Sequence, residues 1–226
     1  MSDIKNAGHE LILVSSGAIG MGVGKLGLRE RPKDIPSKQA AAAVGQCELM
    51  YTYDKLFSEY HHTVAQLLIT GDDTTNDTRR FNFTNTLNRL LELGALPVIN
   101  ENDTVATDEI VIGDNDTLAA IVARSVHADM LILLSDIDGL YTADPHTHPE
   151  AALLHHVARV DDHIREIAGI SSSTQGTGGM VTKLHAADIC LGCGCKMVIA
   201  NGNNPGNLYD ILEGKTVGTT FSEERL

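Results

Sequence analysis

The amino-acid sequence predicts an α/β fold in which a mainly parallel sheet is covered by helices on both faces. Short, continuously apolar runs alternate with longer segments of helical character along the chain. Clusters of Asn, Asp, Gly and Ser directly follow several of the apolar runs. Because ligands of open α/β sheets bind outside the carboxyl ends of the strands, these clusters are the first candidates for a functional site.

The apolar runs predict five strands, at residues 9–14, 64–69, 96–99, 130–134 and 196–200. Helices are predicted between them at residues 18–26, 37–60, 78–93, 114–126, 161–168, 180–191 and 208–212. We expect Ser37 to cap the second helix. Leu87, Leu90 and Leu91 share one face of the third, which Gly94 ends. Residues 1–8 are typical of the end of a helix that Gly8 stops.

Composition limits the classes of function. The chain has 226 residues, of which 42% are hydrophobic, enough for one sizeable core and a single predicted domain. A net charge of −13, without a basic run, argues against nucleic acid or an anionic membrane as a partner. No apolar run approaches the roughly 20 residues that span a bilayer. The first ten residues are too polar for a signal peptide, so we expect a cytoplasmic protein.

Two polar clusters flank residues 104–112. The strand at 96–99 ends in the sequence NEND (100–103), and GDND (113–116) immediately precedes a helix. One such cluster is ordinary turn and capping chemistry, which remains the alternative interpretation. Two in tandem after a buried strand favour a binding site, where carboxylates, carboxamides and free helix N–H groups meet.

A glycine-rich segment, GTGGMVTK (176–183), leads into a helix. Glycine lets the backbone approach a phosphate, and the N–H groups of a helix start attract anions. Lys183 lies about one turn into the helix and can reach back to a phosphate. The spacing differs from that of a P-loop. The alternative interpretation is a flexible loop before an ordinary helix.

Two further turns follow apolar strands. The segment SDIDGLYTADP begins with Ser135 and Asp136 at the carboxyl end of the most apolar strand. The segment SSGA (15–18) follows the first strand, where Ser16 either caps the next helix or contacts a small ligand. Turn chemistry alone remains the alternative for both segments.

The cysteines give a weaker signal. Cys190, Cys193 and Cys195 lie close together, and a zinc site would have to borrow His185 or a distant ligand. Structural zinc usually takes four ligands with paired spacings. We therefore favour buried, reduced thiols and predict no metal site made of protein ligands alone.

Five motifs together resemble the amino acid kinase family, and within it the members that phosphorylate glutamate: LVSSGAIGMG, PVINENDTVAT, GDNDTLAA, LLSDIDGLYTADP and GTGGMVTKLHAA. They occur in family order across essentially the whole chain. The resemblance implies a three-layer αβα sandwich around a mainly parallel sheet. It also implies ATP-dependent phosphorylation of the L-glutamate γ-carboxylate with Mg²⁺, the first step of proline biosynthesis.

The resemblance also assigns roles to single residues. It implies that Ser16, Asp103 and Asn115 bind the substrate, with Asp103 holding the ammonium group. Asp116 and Lys183 are the implied catalytic residues. The implied nucleotide contacts are Ser135, Asp136, Thr177, Gly178, Gly179, Met180, Val181, Thr182 and Lys183.

Two departures from the family pattern affect the expected domain organisation. The V-K-x-G segment that opens the family pattern, with its phosphate-binding lysine, does not occur in residues 1–226, and neither does the small C-terminal PUA domain of many members. We expect an amino acid kinase domain over 1–226 that lacks its first strand. Alternatives are a kinase of acetylglutamate, aspartate, carbamate or UMP, and a non-catalytic binding protein on this fold. A homo-oligomer is also expected.

Overall fold

The computed structural model describes residues 1–105, 114–145, 147–170 and 179–223. The chain divides into two compact units, Met1–Asn115 and Asp116–Leu226. Helices and parallel strands dominate both, as the sequence predicts.

Unit 1 contains a three-stranded, all-parallel sheet in the order β1-β3-β2. Its strands are β1 (Leu13–Val14), β2 (Val64–Ile69) and β3 (Leu96–Glu101). Its helices are α1 (Ser2–Asn6), α2 (Ala18–Lys25), α3 (Ile35–Ser58), α4 (Gly71–Thr75) and α5 (Asp77–Glu92). The central strand, β3, is buried along its whole length, so it organises the core of this unit.

Strand β1 is shorter than the predicted strand at 9–14. Ile99 faces β1, because its carbonyl accepts from Ser15 N at 2.9 Å, whereas Leu96 faces β2. Since strand residues alternate in direction, Pro97 also faces β1, and it has no N–H to donate. The ladder between β1 and β3 therefore begins only at Leu13, opposite Val98.

In unit 1, the start of α3 and the end of β3 differ from the sequence prediction, whereas the end of α5 agrees with it. The prediction that Ser37 caps α3 is wrong: Asp34 is the N-cap, and its carboxylate accepts from Ser37 N at 2.9 Å, with Pro36 in the first turn. Strand β3 continues two residues further than predicted, because its pairing with β2 extends to Ile69 opposite Glu101. Gly94 does end α5, with a φ of 74°.

Unit 2 contains a four-stranded sheet in the order β4-β6-β7-β5, in which only β6 and β7 are antiparallel. Its strands are β4 (Met130–Ser135), β5 (His156–Val157), β6 (Lys196–Asn201) and β7 (Thr219–Phe221). Its helices are α6 (Asn115–Ser125), α7 (Asp162–Ile170), α8 (Met180–Leu191) and α9 (Asn207–Leu212). Helix α6 starts at Asn115, the last residue of unit 1.

The most apolar strand of the sequence is not the best-buried strand of unit 2. Leu134 of β4 is 51% exposed, whereas Met197, Val198 and Ile199 of β6 are almost fully buried. The reason is position: β4 stands at the end of the strand order and β6 stands inside it. Strand β4 is therefore only partly buried despite its composition.

Candidate active site

In unit 1, the side chain of Asn115 connects the turn after β1 with the end of β3. Its Nδ2, which has two hydrogens to donate, lies 2.9 Å from the Ser15 carbonyl oxygen, 2.6 Å from Ser16 Oγ and 3.1 Å from Asn100 Oδ1. Residues predicted at two separate strand ends are thus brought together at one edge of the sheet. Ser16 does not cap α2, because Gly17 is the N-cap and no side chain bonds to the helix start.

Asn100 and Gln46 extend this contact into a row of three amides. Asn100 Oδ1 also accepts from Glu101 N at 2.9 Å, and Asn100 Nδ2 donates to Gln46 Oε1 at 3.0 Å. Both residues are buried, with 3% and 7% exposure. A hydrogen-bonded amide row in a dry interior is rigid, so it fixes the direction in which Asn115 points. We name Gln46, Asn100 and Asn115 the amide row.

Sequence reasoning missed Gln46, although a signal for it exists. Helix α3 buries Ala42, Gly45, Gln46 and Leu49, which follow the spacing of one helical face. A glutamine inside an otherwise apolar stripe must find hydrogen-bond partners, so it marks a polar site under the helix. Tyr53, one further turn along, was also missed; its hydroxyl lies 2.8 Å from Ser15 Oγ.

Glycine holds α3 close against the turn that carries Ser16. A Cβ atom added at Gly45 would lie 1.7 Å from the Ala18 carbonyl oxygen, and one added at Gly22 would lie 1.8 Å from the Ala41 carbonyl oxygen. Helices α2 and α3 therefore approach backbone to backbone, which only glycine permits at these two positions. This approach places Gln46 beside the start of α2.

Asp103 lies in the turn after β3 and is half-buried. Burial raises the pKa of the Asp103 carboxyl, and the positive charge of Arg31 offsets only part of this effect. In the described part of the chain, no hydrogen bond joins Asp103 to the amide row. A half-buried carboxylate whose negative charge is only partly offset by neighbouring groups favours a cationic ligand such as an ammonium group.

In unit 2, Asp116 and Lys183 form an ion pair with little solvent contact. Lys183 Nζ lies 2.9 Å from Asp116 Oδ2, and the two side chains are 9% and 20% exposed. Thr182 Oγ1 donates to the same oxygen at 2.9 Å and also reaches the Gly179 carbonyl at 2.8 Å. The sequence predicted Lys183 and Asp116 in one site, and the structure places them in contact.

Helix α8 begins at Gly179, its N-cap, without a side-chain cap. Met180 is buried and Val181 is 57% exposed, so the first turn of α8 has one face in the core and one in solvent. Free N–H groups at such a start suit an anion. The predicted nucleotide contacts Thr177 and Gly178 lie outside the described residues.

A second polar group of unit 2 lies where β4 and β6 end. Ser135 Oγ contacts Asp136 Oδ1 at 3.1 Å. Asn201 donates to Asp138 Oδ1 at 2.8 Å, and Tyr141 donates to Asp138 Oδ2 at 3.1 Å. Ser135 and Asp136 thus lie at a strand end, as predicted, while Asp138 and Asn201 are additional polar residues there.

The cysteines are free thiols. A hydrogen bond between the buried Cys190 and Cys195, together with burial, raises the pKa of Cys190, while the same bond lowers that of Cys195. Within the described ranges, no group of three or more His, Cys, Asp or Glu side chains could hold a metal ion. Also within those ranges, no helix combines the length and apolar character needed to cross a membrane.

Comparison with known proteins adds sequence relationships to this geometry. The Amino acid kinase family profile matches residues 1–201. The glutamate 5-kinase of Clostridium tetani is 52% identical over 220 residues, covering 97% of this chain and 82% of the relative. That of Clostridium perfringens is 52% identical over 225 residues, covering 98% and 84%. That of Carboxydothermus hydrogenoformans is 54% identical over 220 residues, but only 59% of the relative is covered.

Solved structures share the fold at low sequence identity. Carbamate kinase from Giardia lamblia bound to AMP-PNP has a TM-score of 0.64 at 14% identity, covering 98% of this chain and 87% of that one. Uridylate kinase from Archaeoglobus fulgidus has a TM-score of 0.63 at 20% identity, covering 98% and 89%. At these identities, the likeness establishes the fold alone.

Proposed function

Because this chain belongs to the amino acid kinase family, we propose that it is an ATP-dependent kinase of the L-glutamate γ-carboxylate. The product is L-glutamyl 5-phosphate, which places the enzyme at the first step of proline biosynthesis. Relatives about 52% identical over nearly the whole chain carry the name glutamate 5-kinase. The carbamate and uridylate kinases compared above are 14% and 20% identical and supply no argument for a different acceptor.

The single structural observation that carries the kinase assignment is the Asp116–Lys183 pair at the start of α8. Phosphoryl transfer requires positioning and neutralisation of phosphate charge more than covalent help from the protein. Lys183 supplies a positive charge held in place by Asp116, and the first turn of α8 supplies N–H groups. The relatives named glutamate 5-kinase favour a kinase over a non-catalytic binding protein.

In the proposed reaction, a γ-carboxylate oxygen of glutamate attacks the terminal phosphorus of ATP. A new P–O bond forms to the carboxylate as the bond to the ADP oxygen breaks, and ADP leaves with the electron pair. The carboxylate is ionised at neutral pH, so no general base is required. Lys183 offsets the charge on the transferring group, and Thr182 and Lys183 together hold Asp116 in one orientation.

We assign acceptor binding to unit 1 and nucleotide binding to unit 2. Ser16, Asn115 and Asp103 offer a hydroxyl, an oriented amide and a carboxylate, which suit an amino acid with its ammonium on Asp103. Gly179 to Lys183, with Ser135 and Asp136, are the proposed nucleotide contacts of unit 2. Asn115 and Asp116 are consecutive residues, so the chain itself links the two sets.

Mg²⁺ fits this site as an ion carried mainly by the nucleotide. Magnesium in phosphoryl-transfer sites typically rests on one or two carboxylates and the substrate phosphates, and Asp116 is the carboxylate beside Lys183. When bound, Mg²⁺ would supply further neutralisation of phosphate charge. A homo-oligomeric state and a cytoplasmic location remain predictions.

A coupled ADP-release assay tests the proposed function. Glutamate should support ATP-dependent ADP release, and hydroxylamine should trap the acyl phosphate as the γ-hydroxamate. Acetylglutamate, aspartate, carbamate and UMP at equal concentration are the comparison substrates. Faster turnover of any of these than of glutamate would contradict the assignment.

A further inference from the structure

Three of the four cysteines lie in one turn of unit 2, between the end of α8 and the start of β6. They are Cys190, Cys193 and Cys195, which we name the thiol cluster. Cys190 and Cys195 are 0% and 3% exposed, whereas Cys193 is only partly buried and lies between two exposed glycines. The proposed kinase reaction uses none of these side chains. A partly exposed thiol beside two buried ones is the arrangement of a redox site, in which one cysteine reacts and another resolves.

The backbone of this turn brings Cys190 and Cys195 together. The Cys195 N–H donates to the Cys190 carbonyl at 3.0 Å, and the Gly194 N–H donates to the Leu191 carbonyl at 3.2 Å. Gly194 has a φ of 74°, so the turn is a Schellman motif. In this motif the two residues joined by the longer backbone bond, here Cys190 and Cys195, frequently make a side-chain contact. A hydrogen bond does join their thiols.

Cys193 is held on the same turn by its backbone and by its thiol. Its N–H and its Sγ donate to the Cys190 carbonyl oxygen at 3.1 Å and 3.3 Å. Cys190 and Cys193 also have the C-x-x-C spacing of thiol–disulfide oxidoreductases, at which a disulfide can close. Cys190 is therefore within reach of two other thiols, one partly exposed and one buried.

The two buried thiols differ in acidity. The hydrogen bond from Cys190 lowers the pKa of Cys195, burial opposes this effect, and the backbone N–H of Leu131 lowers the pKa further. The same hydrogen bond, together with burial, raises the pKa of Cys190. Because the thiolate is the nucleophile of disulfide exchange, Cys195 is the thiol of this pair that attacks a disulfide more readily.

We propose that a peroxide oxidises the thiol cluster to a disulfide between Cys190 and Cys195, and that Cys193 reacts with the peroxide first. The inference goes beyond the proposed function and does not rest on it. Exposure determines the first step, since a peroxide in solvent meets Cys193 and not the buried pair. Contact determines the end point, since a disulfide between two thiols that already touch requires little movement of the turn.

The reaction has three steps, written here for hydrogen peroxide. The Cys193 thiolate attacks one peroxide oxygen, the O–O bond breaks, and hydroxide takes up the thiol proton as water, which leaves a sulfenic acid. Cys190 Sγ attacks the Cys193 sulfur, the S–O bond breaks, and the hydroxyl group leaves as water with the Cys190 proton. Cys195 Sγ attacks Cys190 Sγ, and Cys193 leaves with the electron pair and takes the Cys195 proton. Two thiols have then become one disulfide, the peroxide has become two waters, and Cys193 is a thiol again.

Peptide mapping of the wild-type protein tests the proposal. The native protein is treated with one equivalent of hydrogen peroxide, quenched with acid, unfolded and alkylated with N-ethylmaleimide. Cleavage after Lys183 and Lys196 releases one peptide that contains the whole thiol cluster. This peptide should carry a single alkyl group, on Cys193, and reduction with dithiothreitol before alkylation should restore three. Three alkyl groups without reduction, a single one on Cys190 or Cys195, or a sulfinic acid would overturn the proposal.

Two variants test the order of the steps. Cys193→Ser keeps the buried pair and removes the partly exposed thiol, so the disulfide should form roughly tenfold more slowly or less. Cys47→Ser is the matched control, because it removes an exposed thiol outside the thiol cluster and should leave the rate at the wild-type value. A wild-type rate in Cys193→Ser, or equal slowing in both variants, would overturn the role of Cys193. Thermal melts show that each variant is folded, and the mapping of the wild type depends on neither.

Discussion

Lys183 brings a positive charge to the start of α8 with only 9% of its side chain exposed. If this charge acts mainly on the transferring phosphate, Lys183→Ala should lower kcat by roughly 10²-fold or more and change glutamate affinity little. Steady-state ADP release, with glutamate and ATP varied in turn, separates kcat from the two KM values.

Lys215→Ala is the matched control for Lys183, because it removes a 59% exposed lysine of the same unit that pairs with Asp210 and Glu213. Its kcat should equal that of the wild type. A near-normal kcat in Lys183→Ala would remove this lysine from the mechanism.

The half-buried carboxylate of Asp103 should lower the stability of the folded state, although it contributes to the proposed binding of glutamate. Because burial raises its folded-state pKa, the native state holds its proton more tightly than the unfolded chain does. Stability therefore falls as pH rises from the usual aspartate pKa through the raised one, and the full cost is present above it. Asp103→Asn should melt at the same or a higher temperature at pH 7, yet bind glutamate more weakly.

The pH dependence checks this interpretation of Asp103. Melts of wild type and Asp103→Asn should converge at a pH below the usual aspartate pKa, where both side chains are uncharged. Calorimetric titration at pH 7 measures the loss of glutamate binding. A variant that melts lower than wild type at pH 7 and binds glutamate normally would contradict both parts.

At the scale of elements, the contact between α2 and α3 depends on two glycines. A Cβ at Gly45 would overlap the Ala18 carbonyl oxygen, at 1.7 Å, and the Gly22 nitrogen, at 2.4 Å. Gly45→Ala should therefore force the helices apart and destabilise the fold by about 1–3 kcal/mol or more. Chemical denaturation measures the change, and glutamate binding should fall with it.

Gly24→Ala provides the comparison for Gly45→Ala. Gly24 lies in α2 with no atom within 4 Å of an added Cβ, so alanine should stabilise this helix by up to about 1 kcal/mol. The two identical substitutions are thus expected to change stability in opposite directions. Equal effects would show that the close approach of the helices is not a tight constraint.

The elements that sequence predicted well are those with a strong local pattern. Strand β2 and helix α8 match their predicted bounds residue for residue, because their apolar spacing and flanking residues are unambiguous. The predicted N-cap of α3 was wrong because two residues that can cap a helix, Asp34 and Ser37, lie within four positions of each other. Elements β5 and β7 have two and three residues, too few to show a period.

At the scale of the molecule, part of the candidate site could also be predicted from the sequence. Asn115, Asp116 and Lys183 could be predicted because each lies beside a recognisable turn or helix start. The sequence marks Gln46 only as a glutamine in an apolar stripe of α3, and its partner Asn100, 54 residues away, is identified only by tertiary structure. The sequence motifs therefore identified candidate site residues at turns and helix starts. The buried residues that orient them were identified from the structure.

The assignment of one ligand to each unit predicts separable binding defects. Asn115→Ala removes the donor that joins Ser15, Ser16 and Asn100, so glutamate affinity should fall roughly tenfold or more. The affinity for AMP-PNP should stay within about twofold, because the proposed nucleotide contacts lie in unit 2. Calorimetric titration with each ligand alone measures both values.

Asn88→Ala serves as the control for Asn115→Ala, since Asn88 is an exposed residue of α5 in the same unit. It should bind both ligands like the wild type. Lys183→Ala should show the converse pattern, with AMP-PNP binding weakened and glutamate binding retained. If Asn115→Ala instead lost AMP-PNP affinity and kept glutamate affinity, the substrate and nucleotide assignments would be reversed, because the effect of each substitution reports which ligand its unit holds.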